Sequence, residues 1–442
     1  MTRMQLLLVG VLSTLATILV LVGSDGKSGL SEAAERALAG GTPVAATGDV
    51  AGTTASSTDA ATTTPASTDA STAAASDTET PTVAATAGED ATGETAAADT
   101  DSDDSGDDET PAATTPSDEP PETNIKHVFV ITLQGRGFDA AFGSGSAAPY
   151  LSGELRGKGT LLTKFSSLGK SDLADRLAFI GGQPPNAATK AGCATYQEIP
   201  PLTDVAKGGL ITADGCVYPN SVVSLGDQVT SNRLTWQAYA EDHEKGPGGA
   251  AATCRRPVSN EADTTQSPRA GDAYAAKNNP FIYFHSLLDL SGCDADVGPL
   301  TKLDADLADP KATPNFSYIA PNLCHDGSDQ PACDGQSGLA GADAFLKTVV
   351  PKILASKAYT EAGLLAITFA GGPSDEPSRN GTLLLSRFAQ AGGTDETELD
   401  PYGLLRTVED VLGIKPLGKA ADAKSVSGTV LASAKIFTEG DG

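Results

Sequence analysis

The chain divides near residue 123 into a stretch that cannot form a hydrophobic core and a stretch that can. Residues 24–123 contain no Phe, Trp or Tyr and consist mainly of Ala, Thr, Asp and Ser. They carry 21 acidic and 2 basic side chains, a net charge of −19. Such a segment buries too little apolar surface to offset its chain entropy, and repulsion between its carboxylates extends it. We therefore predict a disordered acidic stalk at residues 24–123 and a folded domain at residues 124–442.

The first 23 residues predict export. Residues 6–22 form an uncharged, mostly aliphatic run behind Arg3, with a length between a long signal-peptide core and a short membrane span. No small-residue cleavage site or lipobox cysteine follows it, so a retained anchor is preferred over a cleaved signal peptide, and a buried core helix is the third alternative. Because Arg3 favours a cytoplasmic N-terminus, we expect an extracytoplasmic domain that is membrane-anchored by residues 1–23 or secreted.

The cysteines agree with export, since all six lie in residues 124–442. An even number in an exported domain predicts disulfide bonds rather than free thiols. Six cysteines allow several pairings, and the sequential pairing is preferred: Cys193–Cys216, Cys254–Cys293 and Cys324–Cys333. A structural zinc site is disfavoured because the sequence has no CxxC motif or Cys/His cluster.

The domain alternates apolar runs typical of buried strands with helical stretches. Strands are predicted at residues 127–133, 235–239, 280–285, 316–320, 364–369 and 382–386, and helices at residues 342–359 and 401–412. This alternation predicts an α/β fold, a three-layer sandwich around a mostly parallel sheet. Sites in such folds lie beyond the carboxyl ends of the strands, here residues 134–138 and 370–376.

A domain net charge of −9 without a basic stripe argues against nucleic-acid binding.

Several segments of the domain follow one another as in a known family. They include IKHVFVITLQGRGFDAAFG at residues 125–143, GCVYP at 215–219, TWQAYAED at 235–242, CRRP at 254–257, NPFIYFHS at 279–286, PNFSYIAPNLCHDGSD at 314–329, GLLAITF at 363–369 and LLRTVEDVLG at 404–413. Over nearly all of residues 124–442 the chain resembles the bacterial phosphoesterase family, which includes phospholipases C and acid phosphatases. The resemblance implies an alkaline-phosphatase-like core and metal-assisted hydrolysis of phosphate esters by a hydroxyl nucleophile.

The resemblance fails where the chemistry is expected. The family's Glu-Asn ligand pair after the first strand falls on Gln134 and Gly135. The nucleophile falls on Asp172 and the Asn that follows it on Asp175, so a carboxylate stands where a phosphate dianion should bind. Charge–dipole attraction and capping at a helix start are the simpler roles for both aspartates.

The later ligand positions differ as well. The family's Asp-Glu pair falls on Ala370 and Gly371, a ligand His on Ser328 and a late His on Pro401. Loss of most metal ligands leaves no metal site. The sequence therefore predicts a degenerate, non-catalytic member of the family.

Some candidate cleft residues remain. His285 matches the family residue near the end of a predicted strand. Two roles are equally favoured for it: it lines the family's active-site cleft, or it is a structural histidine of the core. His325, Asp326 and Asp329 lie within five residues and could hold a divalent metal in a reworked site. A loop closed by the neighbouring cysteines is the simpler interpretation of that cluster.

Two hypotheses follow. The first is a membrane-tethered binding or scaffold module for a cell-envelope or extracellular partner, with no cofactor. The second is a metal-dependent phosphoric ester hydrolase, phosphatase-like or phospholipase C-like, with a reworked site that includes Asp172, Asp175 and the His325 cluster.

Overall fold

The structure, a computed structural model, describes residues 124–431 except 202–205, 207, 247–253, 291 and 334. The predicted anchor at residues 1–23 and the predicted stalk at residues 24–123 lie outside the described residues. None of the helices in the described part of the chain is long and apolar enough to span a membrane.

One eight-stranded sheet organises the described residues. Its strands are β1 His127–Gln134, β2 Thr160–Leu162, β3 Trp236–Ala240, β4 Val297–Pro299, β5 Phe316–Ala320, β6 Gly363–Ala370, β7 Thr382–Leu385 and β8 Thr394–Asp395. They lie in the order β4-β3-β5-β1-β6-β7-β2-β8. All neighbouring pairs are parallel except those of β7, which runs antiparallel to β6 and β2. The predicted mostly parallel sheet is confirmed.

Helices connect the strands. They are α1 Phe138–Phe142, α2 Asp172–Gly181, α3 Ala187–Lys190, α4 Leu225–Ser231, α5 His285–Leu288, α6 Gly292–Asp296, α7 Leu303–Leu307, α8 Gly338–Ala355, α9 Lys357–Ala362 and α10 Pro401–Leu412. Single turns of 3₁₀ helix occur at Arg156–Lys158, His243–Lys245, Ala276–Asn278, Pro280–Tyr283, Leu300–Lys302, Pro331–Cys333 and Gly418–Asp422, and a π-helical turn at Tyr150–Leu155.

Both faces of the sheet are covered. Along β1, Val128 and Val130 pack into one apolar cluster with side chains of α2 and α10. Phe129 and Ile131 point the opposite way and pack with side chains of α8. All four are fully buried, and each such side chain contributes about 1.5–3 kcal/mol. Since successive strand residues point to opposite faces, the continuous apolar run of β1 requires a helical layer on each side. The predicted three-layer α/β sandwich is confirmed.

Two predicted elements differ in the structure. Residues 280–285, predicted as a strand, form the 3₁₀ turn Pro280–Tyr283 and the start of α5. A short apolar run fits a buried helical segment as well as a strand, and Pro280 suits the first helical position. The helix predicted at residues 342–359 is two helices, because Ser356 ends α8 and its Oγ accepts a hydrogen bond from the Tyr359 N–H at 3.2 Å to cap α9.

Three disulfide bonds join Cys193 to Cys216, Cys254 to Cys293 and Cys324 to Cys333. This is the sequential pairing that the sequence analysis preferred. The third bond closes the loop that follows β5, which carries Asp326 and Ser328 to the carboxyl end of the sheet.

Candidate functional site

The predicted site begins where two central strands end. Gln134, the last residue of β1, lies beside Ala370, the last residue of β6, in the parallel register of these strands. The next amide, that of Gly135, donates a hydrogen bond to the Ala370 carbonyl at 2.7 Å. The structure therefore brings the two ligand-pair positions of the resemblance together, although neither pair carries a carboxylate.

Backbone fills the space where the ligand side chains would lie. A Cβ added to Gly135 would meet the carbonyl oxygen of Gly371 at 1.9 Å and Nδ2 of Asn380 at 2.6 Å. A Cβ added to Gly371 would meet the Lys170 carbonyl oxygen at 2.6 Å and the Asp172 amide nitrogen at 2.8 Å. Gly371 also has φ +70°, a conformation that favours glycine. Both positions therefore lack room for any side chain.

Asp172 is the first residue of α2 and is buried. Its Oδ2 lies 3.0 Å from Nη1 of Arg176, one helical turn further on, and 3.0 Å from Nζ of Lys277. Burial alone raises the pKa of the Asp172 carboxyl, but the two cations outweigh burial and lower its pKa to about 2. Asp172 is therefore a carboxylate neutralised by two cations of its own chain.

Asp175 faces the end of β6. Its Oδ2 accepts the Gly371 N–H at 2.7 Å and its Oδ1 accepts the Leu168 N–H at 3.0 Å. Burial raises its pKa to about 7, although these two hydrogen bonds act in the opposite direction. Pro401 lines the same small cavity as Asp175, whose volume of about 10 Å³ is at most that of one water molecule.

The Asp326 carboxylate is fully buried. Its Oδ2 accepts a hydrogen bond from Nδ2 of Asn278 at 2.9 Å, its Oδ1 accepts the Ser328 N–H at 2.8 Å, and its carbonyl oxygen accepts the Gln134 N–H at 2.6 Å. Burial raises the pKa of the Asp326 carboxyl, and the charge of Lys277 counteracts that effect. The Ser328 hydroxyl donates to the Leu323 carbonyl at 3.1 Å.

Arg176 and Lys277 are the residues that the sequence analysis missed. The Arg176 side chain has no exposed surface and Lys277 is mostly buried. Burial lowers the pKa of both groups, but their interactions with Asp172, Asp326 and, for Arg176, Tyr318 together outweigh burial, so both pKa values are raised. A signal for Arg176 was its position four residues after Asp172 on a predicted helix. Lys277 lies in the 3₁₀ turn Ala276–Asn278, far from Asp172 in the chain, and gave no local signal. We name Asp172, Arg176, Lys277 and Asp326 the buried charge cluster.

The remaining predicted residues lie apart from this cluster. His325 Nδ1 lies 2.9 Å from a carboxylate oxygen of Glu241, and Asp329 forms an ion pair with Arg136 on the surface. His285 has carboxylate partners elsewhere: its Nε2 lies 2.7 Å from a carboxylate oxygen of Glu198, and its Nδ1 lies 3.0 Å from one of Asp289.

The residues present do not fit the divalent metal that the resemblance implies. In the part of the chain that the structure describes, no group of three or more His, Cys, Asp or Glu side chains is placed to hold a metal ion. Asp172 is already paired with two cations, and His325 and Asp329 have partners of their own. The cluster is therefore an internal ion-pair network.

Open space at this edge of the sheet lies outside the cluster. A cavity of about 400 Å³ is lined by Lys170, Ser171 and Lys190, and it adjoins a second cavity of about 530 Å³ that shares Leu168 and Pro377. The Ser171 hydroxyl donates to the Thr189 carbonyl at 2.6 Å and accepts the Ala174 N–H at 3.2 Å. This hydroxyl therefore caps α2 and ties it to α3.

Comparisons with known proteins give structural likeness alone. No protein-family model and no curated protein matches the chain. Similar solved structures include an alkaline phosphatase superfamily protein from Vibrio parahaemolyticus (11% identity, TM-score 0.42, 69% of this chain and 70% of that chain). The sulfatase PsFucS1 from Pseudoalteromonas sp. is 12% identical with a TM-score of 0.40, over 70% of this chain and 72% of that chain. The lipoteichoic acid synthase LtaP from Listeria monocytogenes is 10% identical with a TM-score of 0.39, over 69% of this chain and 75% of that chain. Likeness at this level carries no argument about activity.

Proposed function

We propose that the chain is a non-catalytic phosphoesterase-like domain that acts outside the cytoplasm as a binding or scaffold module. The observation that supports this proposal is the state of Asp172. The position that should carry the nucleophile carries instead a buried carboxylate held between Arg176 and Lys277, each at 3.0 Å. This side chain has no hydroxyl to attack a phosphorus atom, and its carboxylate is held by two cations of the same chain.

The surroundings of Asp172 support the same proposal. Gly135 and Gly371 leave no room for metal-binding side chains. Ser171, the neighbouring hydroxyl, is used in the cap of α2. A hydrolase would need a reactive group, a charge that stabilises the transition state and a space for substrate at one point. Here the buried charged groups meet at a point without space, and Ser171, the hydroxyl that borders the open cavity, is held by its own hydrogen bonds.

The location and the partner are parts of the proposal. Three disulfide bonds are typical of proteins in oxidising compartments. The apolar segment at residues 6–22 supports export with an N-terminal membrane anchor. A long acidic segment between this anchor and the domain suits presentation to a cell-envelope or extracellular partner, which the adjoining surface cavities could receive.

Hydrolysis assays test the absence of catalysis. The detergent-solubilised full chain is incubated with a nitrophenyl phosphate monoester, a bis(nitrophenyl) phosphate diester and a phosphatidylcholine, each with Mg²⁺, Mn²⁺, Ca²⁺ or Zn²⁺. We expect no release of product above that of the Asp172→Ala variant, while a metal-dependent phosphatase assayed in parallel is active. Metal-dependent turnover that is lost in Asp326→Ala would overturn the proposal and establish the hydrolase with a reworked site.

A further inference from the structure

A further cavity lies beyond the carboxyl end of β3. Its volume is about 420 Å³, and it is lined by Lys245, from the 3₁₀ turn that follows β3, and by side chains from residues 255–274. It shares no described residue with the buried charge cluster or with the two cavities beside Ser171. Ligands of parallel α/β sheets bind beyond these strand ends, so the cavity lies where a ligand is expected.

The base of this cavity is held in place by the protein. Two lining side chains are almost fully buried, Tyr274 with 3% and Arg255 with 8% of its side chain exposed. The Arg255 guanidinium lies 4.4 Å from the centre of the Tyr274 ring, pairs with Asp272 and donates to the Asp242 carbonyl. The Cys254–Cys293 bond fixes the backbone beside it. A site that is ordered beforehand costs less entropy when a ligand binds.

Two guanidinium groups of the lining are free of carboxylate partners. Arg256 and Arg269 are exposed, and neither forms an ion pair within the described part of the chain. Arg256 Nη1 donates to the Ser259 hydroxyl at 3.3 Å, and Arg269 Nη2 donates to the Thr264 carbonyl at 2.8 Å. A guanidinium has five N–H donors, so each group keeps donors for a ligand.

The charge that remains in the cavity suits a monoanion. Lys245 and Arg255 are each paired with an aspartate. Glu261 is the other acidic residue of the lining, so Arg256 and Arg269 leave a surplus of one positive charge. A carboxylate matches this surplus and accepts two parallel hydrogen bonds from a guanidinium, whereas a phosphate dianion exceeds it.

The rest of the lining indicates what accompanies the carboxylate. The Glu261 side chain is an acceptor only, so it repels a bare anion but accepts hydrogen bonds from hydroxyl groups. Val258, which is 62% exposed, and Pro257 offer apolar contact to the C–H groups of a ring. A ligand with one carboxylate and several hydroxyl groups on a ring uses all of these groups.

We propose that this cavity binds an acidic saccharide through a sugar unit that carries a carboxylate, as a uronic acid does. Arg256 and Arg269 bind the carboxylate, and Glu261 accepts hydrogen bonds from the sugar hydroxyls. The volume is in the range of small-molecule sites and exceeds what a single ion needs. The inference rests on the proposed function, since it gives the binding module a ligand.

Ligand-observed NMR on the full chain tests the inference, with D-glucuronate, acetate and D-glucose as probes. The wild type should bind D-glucuronate more tightly than acetate and should not bind D-glucose. Arg256→Gln and Arg269→Gln should each weaken D-glucuronate binding about tenfold or more, because each removes a charge-assisted hydrogen bond. Arg387→Gln is the matched control, since Arg387 is also exposed and donates to a backbone carbonyl but does not line the cavity, and it should bind as the wild type does.

A variant of Glu261 distinguishes a saccharide from a bare anion. Glu261→Ala removes a negative charge, so acetate should bind this variant more tightly than it binds the wild type. The same change removes the acceptor for the sugar hydroxyls, so the preference for D-glucuronate over acetate should fall. An unchanged preference would contradict the role of Glu261.

Other outcomes overturn the inference. It fails if the wild type does not bind D-glucuronate at millimolar concentration, if acetate binds as tightly as D-glucuronate, or if both arginine variants bind as the wild type does. A glutamate-rich peptide that binds more tightly than D-glucuronate would show a protein partner instead of a saccharide. These outcomes are independent of the hydrolysis assays: a chain without turnover that ignores D-glucuronate disproves the inference alone, and turnover by the wild type disproves the proposed function.

Discussion

At the scale of single residues, Arg176 is the most consequential side chain of the buried charge cluster. It has no exposed surface, and Asp172 is its ion-pair partner. Removal of one partner from a buried pair leaves the other charge uncompensated, which costs about 3–5 kcal/mol. We therefore expect Arg176→Met to lower the free energy of unfolding by about that amount in urea titrations.

The matched control for this prediction is Arg387→Met. Arg387 is exposed and donates a hydrogen bond to the Glu361 carbonyl at 3.3 Å, so its replacement should change stability by less than about 0.5 kcal/mol. The double variant Asp172→Asn, Arg176→Met should lose less than the sum of the two single losses, because the groups contact each other. Equal stability of Arg176→Met and Arg387→Met would contradict the ion-pair account.

Asp175 should make stability depend on pH. Its pKa in the folded protein is about 7, above the ordinary value of 3.8, so the folded state holds this proton more strongly than the unfolded state. The contribution of Asp175 to the free energy of unfolding is therefore fully present below about pH 4 and is lost as the pH rises to about 7. Asp172, whose pKa is lowered to about 2, makes stability depend on pH in the opposite direction and only at lower pH.

The measurement compares the wild type with Asp175→Asn from about pH 4.5 to pH 7.5 by urea unfolding. The wild type should lose stability relative to the variant as the pH rises, because the variant has no proton to release. Glu409, whose pKa burial raises to about 9, contributes with the same sign in both proteins and so cancels in the difference. A difference that stays constant over this range would show that Asp175 titrates normally.

At the scale of secondary-structure elements, the end of β1 depends on close packing against the turn after β6. A Cβ at Gly135 would overlap the Gly371 carbonyl oxygen at 1.9 Å, and backbone cannot yield as a flexible side chain does. Gly135→Ala should therefore destabilise the domain by about 3 kcal/mol or more. Gly145→Ala, whose Cβ would meet nothing within 4 Å, should have almost no effect. Thermal unfolding of both variants checks this, and similar Tm values would mean that the two elements separate easily.

The elements that sequence could predict are those with a strong local pattern. β5 and α10 have the predicted bounds, 316–320 and 401–412, because an apolar run marks the first and Asp400, Pro401 and Gly413 delimit the second. Strands β2, β4 and β8 have two or three residues each, too few for an alternating pattern to be recognised. They form because a neighbouring strand pairs with them, and the local sequence does not predict that pairing.

At the scale of the whole molecule, the same limit applies to the site. The positions that the resemblance assigns to ligands could be found by sequence, because each follows a strand or begins a helix in a recognisable motif. Lys277 could not, because the residue reaches Asp172 only through the tertiary fold, about a hundred positions away in the chain. Sequence therefore indicated which positions depart from the resemblance, and the structure showed which cation of the chain pairs with Asp172.

The disulfide bonds yield the last prediction: two of them lie between β2 and β5, and the third closes the loop after β5. Each bond should stabilise the folded state by on the order of 3 kcal/mol, because it restricts the unfolded chain. Peptide mapping of the unreduced chain should recover the linkages Cys193–Cys216, Cys254–Cys293 and Cys324–Cys333. Replacement of Cys324 and Cys333 together by Ser should also speed amide hydrogen exchange around Asp326, because that bond closes its loop. Replacement of Cys193 and Cys216 should lower stability without that local effect. Free thiols or other linkages in the purified protein would contradict this arrangement.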